Sequence, residues 1–529
     1  MMSILKTLDF FTAHQKLDQL SSGRCGIEKE GLRYTQQHQL STAPHPTILG
    51  HSLTHERLTT DFAESLLELV TPAMKTSTAA LTELNNLHHI LAHSQADYLL
   101  NGSMPAYLDD PESVAIGYYG ESNSGKMRRL YRQGLAIRYG KAMQLIAGIH
   151  YNYSFSDALL DTYAQSQGTV ADRQFVDNAY LNVIRNIRQF GWITAYLFGH
   201  SPALDASFLR GKSHCLESLD GDTLCLPYAT SLRLSDIGYQ SKTDTIVRAN
   251  RLDDYLHDLR RSVLTPSPTF AALGLFGADG KQQQMNTHLL QIENEYYTAA
   301  RPKQITEPGE APLHALQSRG IAYVELRTLD INCFAANGIS QAQLDFLTVF
   351  MVYCLFNPAP ALTVEQEHHA KTNLSKVACC GRDPSLTLTD KDQQTTVPEW
   401  GNRLLDAMLP IAIALDEANK GNTFIDAINE QKAKFDNAER TPAAHILATL
   451  QGDKSHAPTS YHHFITSLSQ TQYQAMHQIE LTPAQIRQRD TDARQSYDSA
   501  EALFAASAAK PFARYLADYY DQIIALATN

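Results

Sequence analysis

The sequence predicts an α+β fold in which helices surround an antiparallel sheet. Strand-like and helical segments do not alternate regularly along the 529 residues, which argues against a doubly wound parallel sheet. Hydrophobic residues make up 43% of the chain, enough for a large core. Helical patterns dominate from Gln341 onward. We therefore expect an α+β core over residues 1–360 and a mainly helical C-terminal part over 361–529 packed on it, with a single domain as the alternative.

Local patterns predict the elements in order. Polar residues such as Asp9 and Lys16 interrupt the apolar residues of segment 1–20 as in an amphipathic helix. Further helices are expected over 76–98, which follows Pro72, and over 126–139 and 172–198. Strands are expected over 24–34, Met143–Phe155, Ser231–Leu234, Leu289–Tyr297 and Ala322–Asn332. The helical region after Gln341 contains a loop-like stretch over 371–399.

Composition narrows the class of protein. A net charge of −12 and a pI of about 5.9 argue against a nucleic-acid-binding surface. The seven cysteines form no CxxC pair, and the N-terminal segment lacks a secretory signal, so we expect a reduced, cytoplasmic protein. The longest apolar stretch, roughly Phe346 to Phe356, falls short of the ~20 residues that span a bilayer, so no membrane partner is expected.

Glu28 and Glu30 are the most informative residues. In an extended strand they project side by side, and two adjacent carboxylates repel unless a cation lies between them. A divalent cation such as Mg²⁺ or Mn²⁺ prefers oxygen ligands and would fill that role. A solvated strand with a charged outer face is the alternative. Glu325 and Arg327 share a strand face in the same way.

Three further segments carry candidate residues. Asp61 and Glu68 lie among apolar residues, so Glu68 is expected either to pair with an arginine or to bind a metal. His150 shares a strand face with Asn152 and is either a structural hydrogen-bonding residue or a ligand. Arg233, between two leucines, is expected to pair with a core acid or to face a ligand anion.

The segment Gln291-Ile-Glu-Asn-Glu295 alternates like a strand and is followed by Arg301 and Lys303. These charged residues are compatible with the border of a nucleotide site, and a surface hairpin is the alternative.

Taken together, these motifs resemble the bacterial glutamate–cysteine ligase family. The resemblance covers roughly residues 20–360 and runs through seven separated segments: Gly26–Arg33, Leu53–Glu68, Leu130–Leu135, Gly148–Asn152, Pro227–Asp236, Leu290–Glu295 and Tyr323–Asn332. Lys29 and Gly31 stand where the family often has other residues.

The resemblance implies a fold and a reaction. The fold would be related to that of glutamine synthetase, with an antiparallel sheet forming a curved active-site wall. The reaction would join the γ-carboxylate of L-glutamate to the amine of L-cysteine through γ-glutamyl phosphate, with ATP as co-substrate. Glutathione, made from the product, would be a feedback inhibitor, and the protein would be a monomer.

The resemblance also assigns roles to residues. One Mg²⁺, or Mn²⁺ in its place, would be held by Glu28, His150 and Glu325, and another by Glu30, Glu68 and Asp61. Arg233 and Arg327 would face the transferred phosphoryl group. The cysteine subsite would comprise Tyr131, Arg132 and Tyr239, and the ATP contacts would comprise Glu293, Arg301 and Lys303.

Two alternative functions stay open at this point. A ligase of the same architecture could use another amine, such as ammonia, although the pair Tyr131 and Tyr239 favours a larger acceptor. A sensor could bind metal and glutamate without turnover.

Overall fold

The computed structural model describes residues 2–239, 245–452 and 457–526. Its central feature is an antiparallel sheet with the strand order β2-β3-β1-β5-β10-β9, in which the short strand β4 also pairs with β1. The strands of this sheet are β1 Arg24–Tyr34, β2 Leu58–Thr60, β3 Leu66–Val70, β4 Tyr98–Leu99, β5 Ile149–Ser154, β9 Ala300–Lys303 and β10 Tyr323–Leu329. Two small sheets comprise β6 Ala203–Asp205, β7 Glu217–Ser218 and β8 Thr223–Cys225, and the hairpin β11 Thr387–Asp390 with β12 Gln393–Thr396.

The strand register separates a polar face of the sheet from an apolar one. Glu28 lies opposite His150, Glu30 opposite Glu68, and Glu325 opposite both Asn152 and Arg301; residues paired across antiparallel strands project to the same side. The intervening residues project to the other side and are buried among helices: Ile27, Leu67, Leu69, Ile149, Tyr151, Val324 and Leu326. The acidic and basic strand motifs therefore share one face.

Helices cover the apolar face. Helices α2 (Ser77–Ala92), α5 (Arg173–Phe190) and α6 (Trp192–Phe198) contact strands of the sheet. The almost entirely buried helix α10 (Gln341–Phe356) packs against α2, α5, α12 (Val397–Asn419) and α13 (Thr423–Asp436). The helices up to residue 272 are α1 Met2–Ala13, α2 Ser77–Ala92, α3 Asn123–Tyr139, α4 Asp157–Ser166, α5 Arg173–Phe190, α6 Trp192–Phe198, α7 Leu252–Leu264 and α8 Pro268–Ala272.

The C-terminal half is mainly helical. Its helices are α9 Pro312–Arg319, α10 Gln341–Phe356, α11 Val364–Cys380, α12 Val397–Asn419, α13 Thr423–Asp436, α14 Pro442–Gln451, α15 Tyr461–His477, α16 Pro483–Ser507 and α17 Phe512–Ile524. Helices α16 and α17 return to contact α3 beside the polar face of the sheet. Within the described ranges, no helix is both long enough and apolar enough to cross a membrane.

The predicted α+β class, antiparallel sheet and helical C-terminal part are confirmed. The predictions of strands over Ser231–Leu234 and Leu289–Tyr297 were wrong. Residues Leu232–Leu234 form a 3₁₀ turn because the Ser231 side chain accepts a hydrogen bond from the Leu234 amide, and Glu293–Glu295 form a similar turn. The prediction of a loop over 371–399 was also wrong, since these residues contain the end of α11, the β11–β12 hairpin and the start of α12.

Candidate active site

A cavity of about 800 Å³ lies over the polar face of the sheet. Strand residues form its floor. Helix α3 lines it with Ser124, Met127, Arg128, Tyr131, Arg132 and Leu135, and the C-terminal helices contribute Leu503, Tyr515 and Tyr519. Apart from Glu293, each candidate residue expected from the sequence lines this cavity. The fold thus brings together residues that are up to 299 positions apart, from Glu28 to Arg327.

Glu28, His150 and Glu325 form a cluster on three adjacent strands. One potential ligand atom from each lies within 4.8 Å of those of the other two, so their donor atoms could share one ion. His150 Nδ1 lies 3.2 Å from Glu28 Oε2, and the Asn152 amide donates to Glu28 Oε1 at 2.7 Å. Burial opposes ionisation of Glu28, but the hydrogen bond with His150 holds its pKa below the usual value. Two carboxylates and an imidazole are suitable ligands for a divalent metal.

Glu30, Glu68 and Asp61 form a second acidic group. Burial, together with Asp61 and Glu68, raises the pKa of Glu30 to about 8. Burial, together with Glu28 and Asp61, raises the pKa of Glu68 to about 7. Glu68 accepts a hydrogen bond from Thr59 at 3.1 Å, and no arginine within the described ranges lies within ion-pair distance of it. Adjacent carboxylates that repel one another in this way are stabilised in their charged form by a bound cation.

The two arginines expected to face a phosphoryl group lie side by side. Arg327 Nη1 is 3.1 Å from Glu325 Oε2, and Arg233 Nη2 donates to the Arg327 carbonyl at 3.0 Å. The buried Asp330 carboxylate lies 3.7 Å from Arg233, so this arginine both pairs with a core acid and lines the cavity. Gly148 leaves room for it, because a Cβ there would lie 2.1 Å from Arg233 Nη2.

Tyr131, Arg132 and Tyr239 occupy another part of the wall. Arg132 Nη2 is 3.0 Å from Asp61 Oδ1, and its guanidinium lies 4.8 Å from the centre of the buried Tyr119 ring. Tyr239 packs against Tyr297, with ring centres 5.0 Å apart. Tyr239 directly precedes residues 240–244, which lie outside the described part of the chain. A wall of aromatic rings and one guanidinium is suited to a small zwitterion.

Arg301 and Lys303 lie between the main cavity and a neighbouring cavity of about 340 Å³, whose walls include both residues. Lys303 Nζ is 3.3 Å from Glu325 Oε1. Glu293 is placed differently: it lines only the smaller of these two cavities, and its carboxylate accepts hydrogen bonds from the Tyr519 hydroxyl at 2.6 Å and the Leu313 amide at 3.2 Å. These contacts make Glu293 an anchor between α17 and α9.

Sequence reasoning missed several cavity residues. Arg128 could have been found, because it lies three and four positions before Tyr131 and Arg132 on one side of a helix. Tyr297 is the last residue of the segment Leu289–Tyr297, which was wrongly expected to be a strand. Tyr515 and Tyr519 had no local signal, since only the return of α17 to the core brings them to the cavity.

The α+β fold and a cavity that presents carboxylates, a histidine and arginines on one sheet face fit the class of ATP-dependent carboxylate–amine ligases. The comparison with known proteins makes the class specific. A model of the glutamate–cysteine ligase family matches residues 8–377. The chain belongs to the glutamate–cysteine ligase family.

Individual relatives agree. A glutamate–cysteine ligase of Pseudomonas fluorescens is 45% identical over 434 residues, which cover 81% of each sequence. One from Pseudomonas aeruginosa is 40% identical over 498 residues, or 91% of this chain and 94% of the relative. The solved structure of a glutamate–cysteine ligase from Francisella tularensis in complex with AMP has a TM-score of 0.88 at 34% identity, covering 94% of this chain and 98% of that one.

The reaction expected from the sequence is thereby supported for this chain. It ligates the γ-carboxylate of glutamate to the amine of cysteine at the expense of ATP, the first step of glutathione synthesis.

Proposed function

We propose that the 800 Å³ cavity is where this ligation takes place and that Glu28, His150 and Glu325 hold one Mg²⁺ or Mn²⁺ there. The support is the approach of their donor atoms to within 4.8 Å of one another on the cavity floor. Glu30, Glu68 and Asp61 are proposed to hold a second ion, because their carboxylates line the cavity together, and burial and mutual repulsion raise the pKa values of Glu30 and Glu68. When bound, such ions neutralise phosphate oxygens and help align them for transfer.

Arg233 and Arg327 are proposed to bind the oxygens of the transferred phosphoryl group. A carboxylate is a poor electrophile because its leaving group would be oxide, whereas phosphorylation makes the leaving group phosphate. Charge develops on the phosphoryl oxygens during transfer, and fixed guanidinium groups stabilise it best when their orientation is set beforehand. Asp330 and the Arg327 carbonyl set the orientation of Arg233 through the contacts described above.

Tyr131, Arg132 and Tyr239 are proposed to receive cysteine. Tyr131 and Arg132 line the cavity from α3, away from the strands that form its floor, so the amine is proposed to approach the acyl phosphate from that wall. The surrounding aromatic rings limit the access of water, which would otherwise hydrolyse the acyl phosphate.

The nucleotide is proposed to extend from the metal cluster past Arg301 and Lys303 into the 340 Å³ cavity. The complex of the Francisella relative with AMP indicates that this family binds adenine nucleotides. Glu293 supports the wall of that cavity from its position between Tyr519 and Leu313. In this arrangement residues 361–529 complete the site built on the core of residues 1–360, because Tyr515 and Tyr519 belong to the C-terminal part. A cytoplasmic location, a monomeric state and feedback inhibition by glutathione belong to the same proposal.

The observation that carries the proposal is the meeting of the acidic cluster with Arg233 and Arg327 on one sheet face. Glutamate labelled with ¹⁸O in its γ-carboxylate tests it. One labelled oxygen should appear in inorganic phosphate during turnover with cysteine, since it bridges carbon and phosphorus in the acyl phosphate. ADP formation with unlabelled phosphate would refute the intermediate.

A panel of amines tests the acceptor. Cysteine should release phosphate from ATP and glutamate much faster than ammonia does. Equal rates with ammonia would favour the alternative ligase, and metal-dependent glutamate binding without phosphate release would favour a sensor.

A further inference from the structure

Among the arginines and the lysine that line the main cavity in the described ranges, Arg128 is the one without a carboxylate oxygen within 4.0 Å. Each of the other five lies within 4.0 Å of a carboxylate oxygen: Arg132 of Asp61, Arg233 of Asp330, and Arg301, Lys303 and Arg327 of Glu325. In the ranges that the structure describes, no carboxylate lies that close to Arg128. Its hydrogen-bond acceptor there is the Leu53 carbonyl, 3.3 Å from Nη1.

The Arg128 side chain is nevertheless held in place. Its guanidinium lies 5.2 Å from the centre of the Tyr119 ring, a cation–π contact with a buried aromatic side chain. The Leu53 carbonyl accepts a hydrogen bond from one of the five N–H donors of the Arg128 guanidinium, and the Arg128 side chain lines the cavity. A half-buried guanidinium with unused donors at a cavity wall favours an anion that can accept two parallel hydrogen bonds.

The position of Arg128 indicates which anion it meets. It lies one helical turn before Tyr131 and Arg132, on the same cavity-facing side of α3. The phosphoryl-binding arginines Arg233 and Arg327 instead lie in and beside the sheet. We propose that Arg128 binds the α-carboxylate of one of the two amino-acid substrates through its guanidinium fork. This inference rests on the proposed function of the cavity and adds a carboxylate subsite to it.

The variant Arg128→Met tests the proposal, because it keeps the aliphatic stem but removes the charge and the donors. The KM for one amino acid should rise roughly ten- to a hundredfold, the usual effect of losing a charge-assisted hydrogen bond, with a smaller change in kcat. The KM for ATP should stay within about twofold of the wild-type value. Arg128→Lys, which keeps the charge without the fork, should have an intermediate effect and serves if the Met variant does not fold.

Decarboxylated analogues distinguish the two sources of the carboxylate. Cysteamine lacks the carboxylate of cysteine, and 4-aminobutyrate lacks the α-carboxylate of glutamate. Each is measured as a competitive inhibitor of the substrate it resembles. The analogue of the affected substrate should inhibit the wild type and the Arg128→Met variant equally, because it has no group for Arg128 to bind.

Arg129→Met is the matched control, since Arg129 is exposed on the next position of α3 and its guanidinium lies 5.8 Å from the Tyr118 ring. It should leave both KM values unchanged. An Arg128→Met enzyme with wild-type KM values for glutamate and cysteine, or with a defect that persists for the analogues, would overturn the carboxylate subsite. Loss of ligation by the wild type itself would instead refute the proposed function.

Discussion

Lys29 gives the sharpest test of how this fold is stabilised. It lies between Glu28 and Glu30 on β1 and therefore points to the opposite, apolar face of the sheet, where it is 0% exposed. Its Nζ lies 3.1 Å from Nε2 of the buried His88. Burial lowers the pKa of Lys29 from 10.5 to about 7, because no carboxylate in the described part of the chain lies near enough to pair with its charge.

The size of the effect follows from this pKa. Between pH 7 and 10.5 the unfolded chain keeps the Lys29 proton and the folded chain does not, so stability rises with pH in that window. Below pH 7 the buried charge of Lys29 lowers the free energy of unfolding by about 5 kcal/mol. This destabilisation decreases by about 1.4 kcal/mol for each pH unit between pH 7 and 10.5. The substitution Lys29→Met removes this destabilisation but also removes a hydrogen bond with His88 that contributes about 1 kcal/mol. The variant should therefore be more stable than the wild type at pH 7.5 by roughly 3 kcal/mol.

Urea unfolding at pH 7.5, 8.5 and 9.5 measures the difference in the free energy of unfolding between Lys29→Met and the wild type. The advantage of the variant should shrink by about 3 kcal/mol over these two pH units, since other titrating groups are common to both proteins. Lys6→Met, at an exposed position of α1, is the control and should leave the pH dependence unchanged. A difference between Lys29→Met and the wild type that does not vary with pH would refute the assignment of a neutral buried lysine.

Three predictions concern the site. Glu28→Gln should lower kcat by a factor of about 10² or more and weaken activation by Mg²⁺ while the fold persists; near-normal turnover at limiting Mg²⁺ would contradict its role as a ligand. Because the pKa of Glu30 is raised to about 8, its proton must leave before the carboxylate binds a cation. The affinity for Mn²⁺, measured by calorimetry, should therefore rise from pH 6 to 8 with release of protons and level off above pH 8. An affinity that does not change with pH would argue against Glu30 as a ligand. Tyr239→Ala should raise the KM for cysteine more than that for glutamate or ATP, whereas equal increases for all three would indicate a structural role.

Much of the site could be predicted from local sequence. The alternation Glu28-Lys29-Glu30 in a strand places two carboxylates on one face, and the structure has them there. The same reasoning placed Glu325 with Arg327 and His150 with Asn152. A period of two depends only on extended backbone geometry, so it needs no knowledge of the rest of the fold.

Local sequence failed where short-range polar contacts or distant packing competed with alternation. Ser231–Leu234 has a strand-like pattern, but the Ser231 hydroxyl caps a 3₁₀ turn and also donates to the buried Asp330 at 2.9 Å. The alternating run Gln291–Glu295 also turns, and the backbone N–H of Gln291 donates a hydrogen bond to the Glu295 carboxylate at 2.7 Å. Such side-chain hydrogen bonds give the backbone an alternative to strand pairing.

The sequence by itself determined which residues share a strand face or a helix face, and hence that carboxylates, a histidine and arginines were available for one chemistry. Only the tertiary structure decided that Glu28 lies opposite His150 and that α17 returns Tyr519 to the cavity wall. It also decided that, among the residues described, no carboxylate pairs with Arg128 as carboxylates do with the other arginines and the lysine of the cavity. The physical reason is that strand register and helix docking depend on burying apolar surface between segments far apart in the chain. That balance involves the whole molecule and cannot be evaluated within one segment.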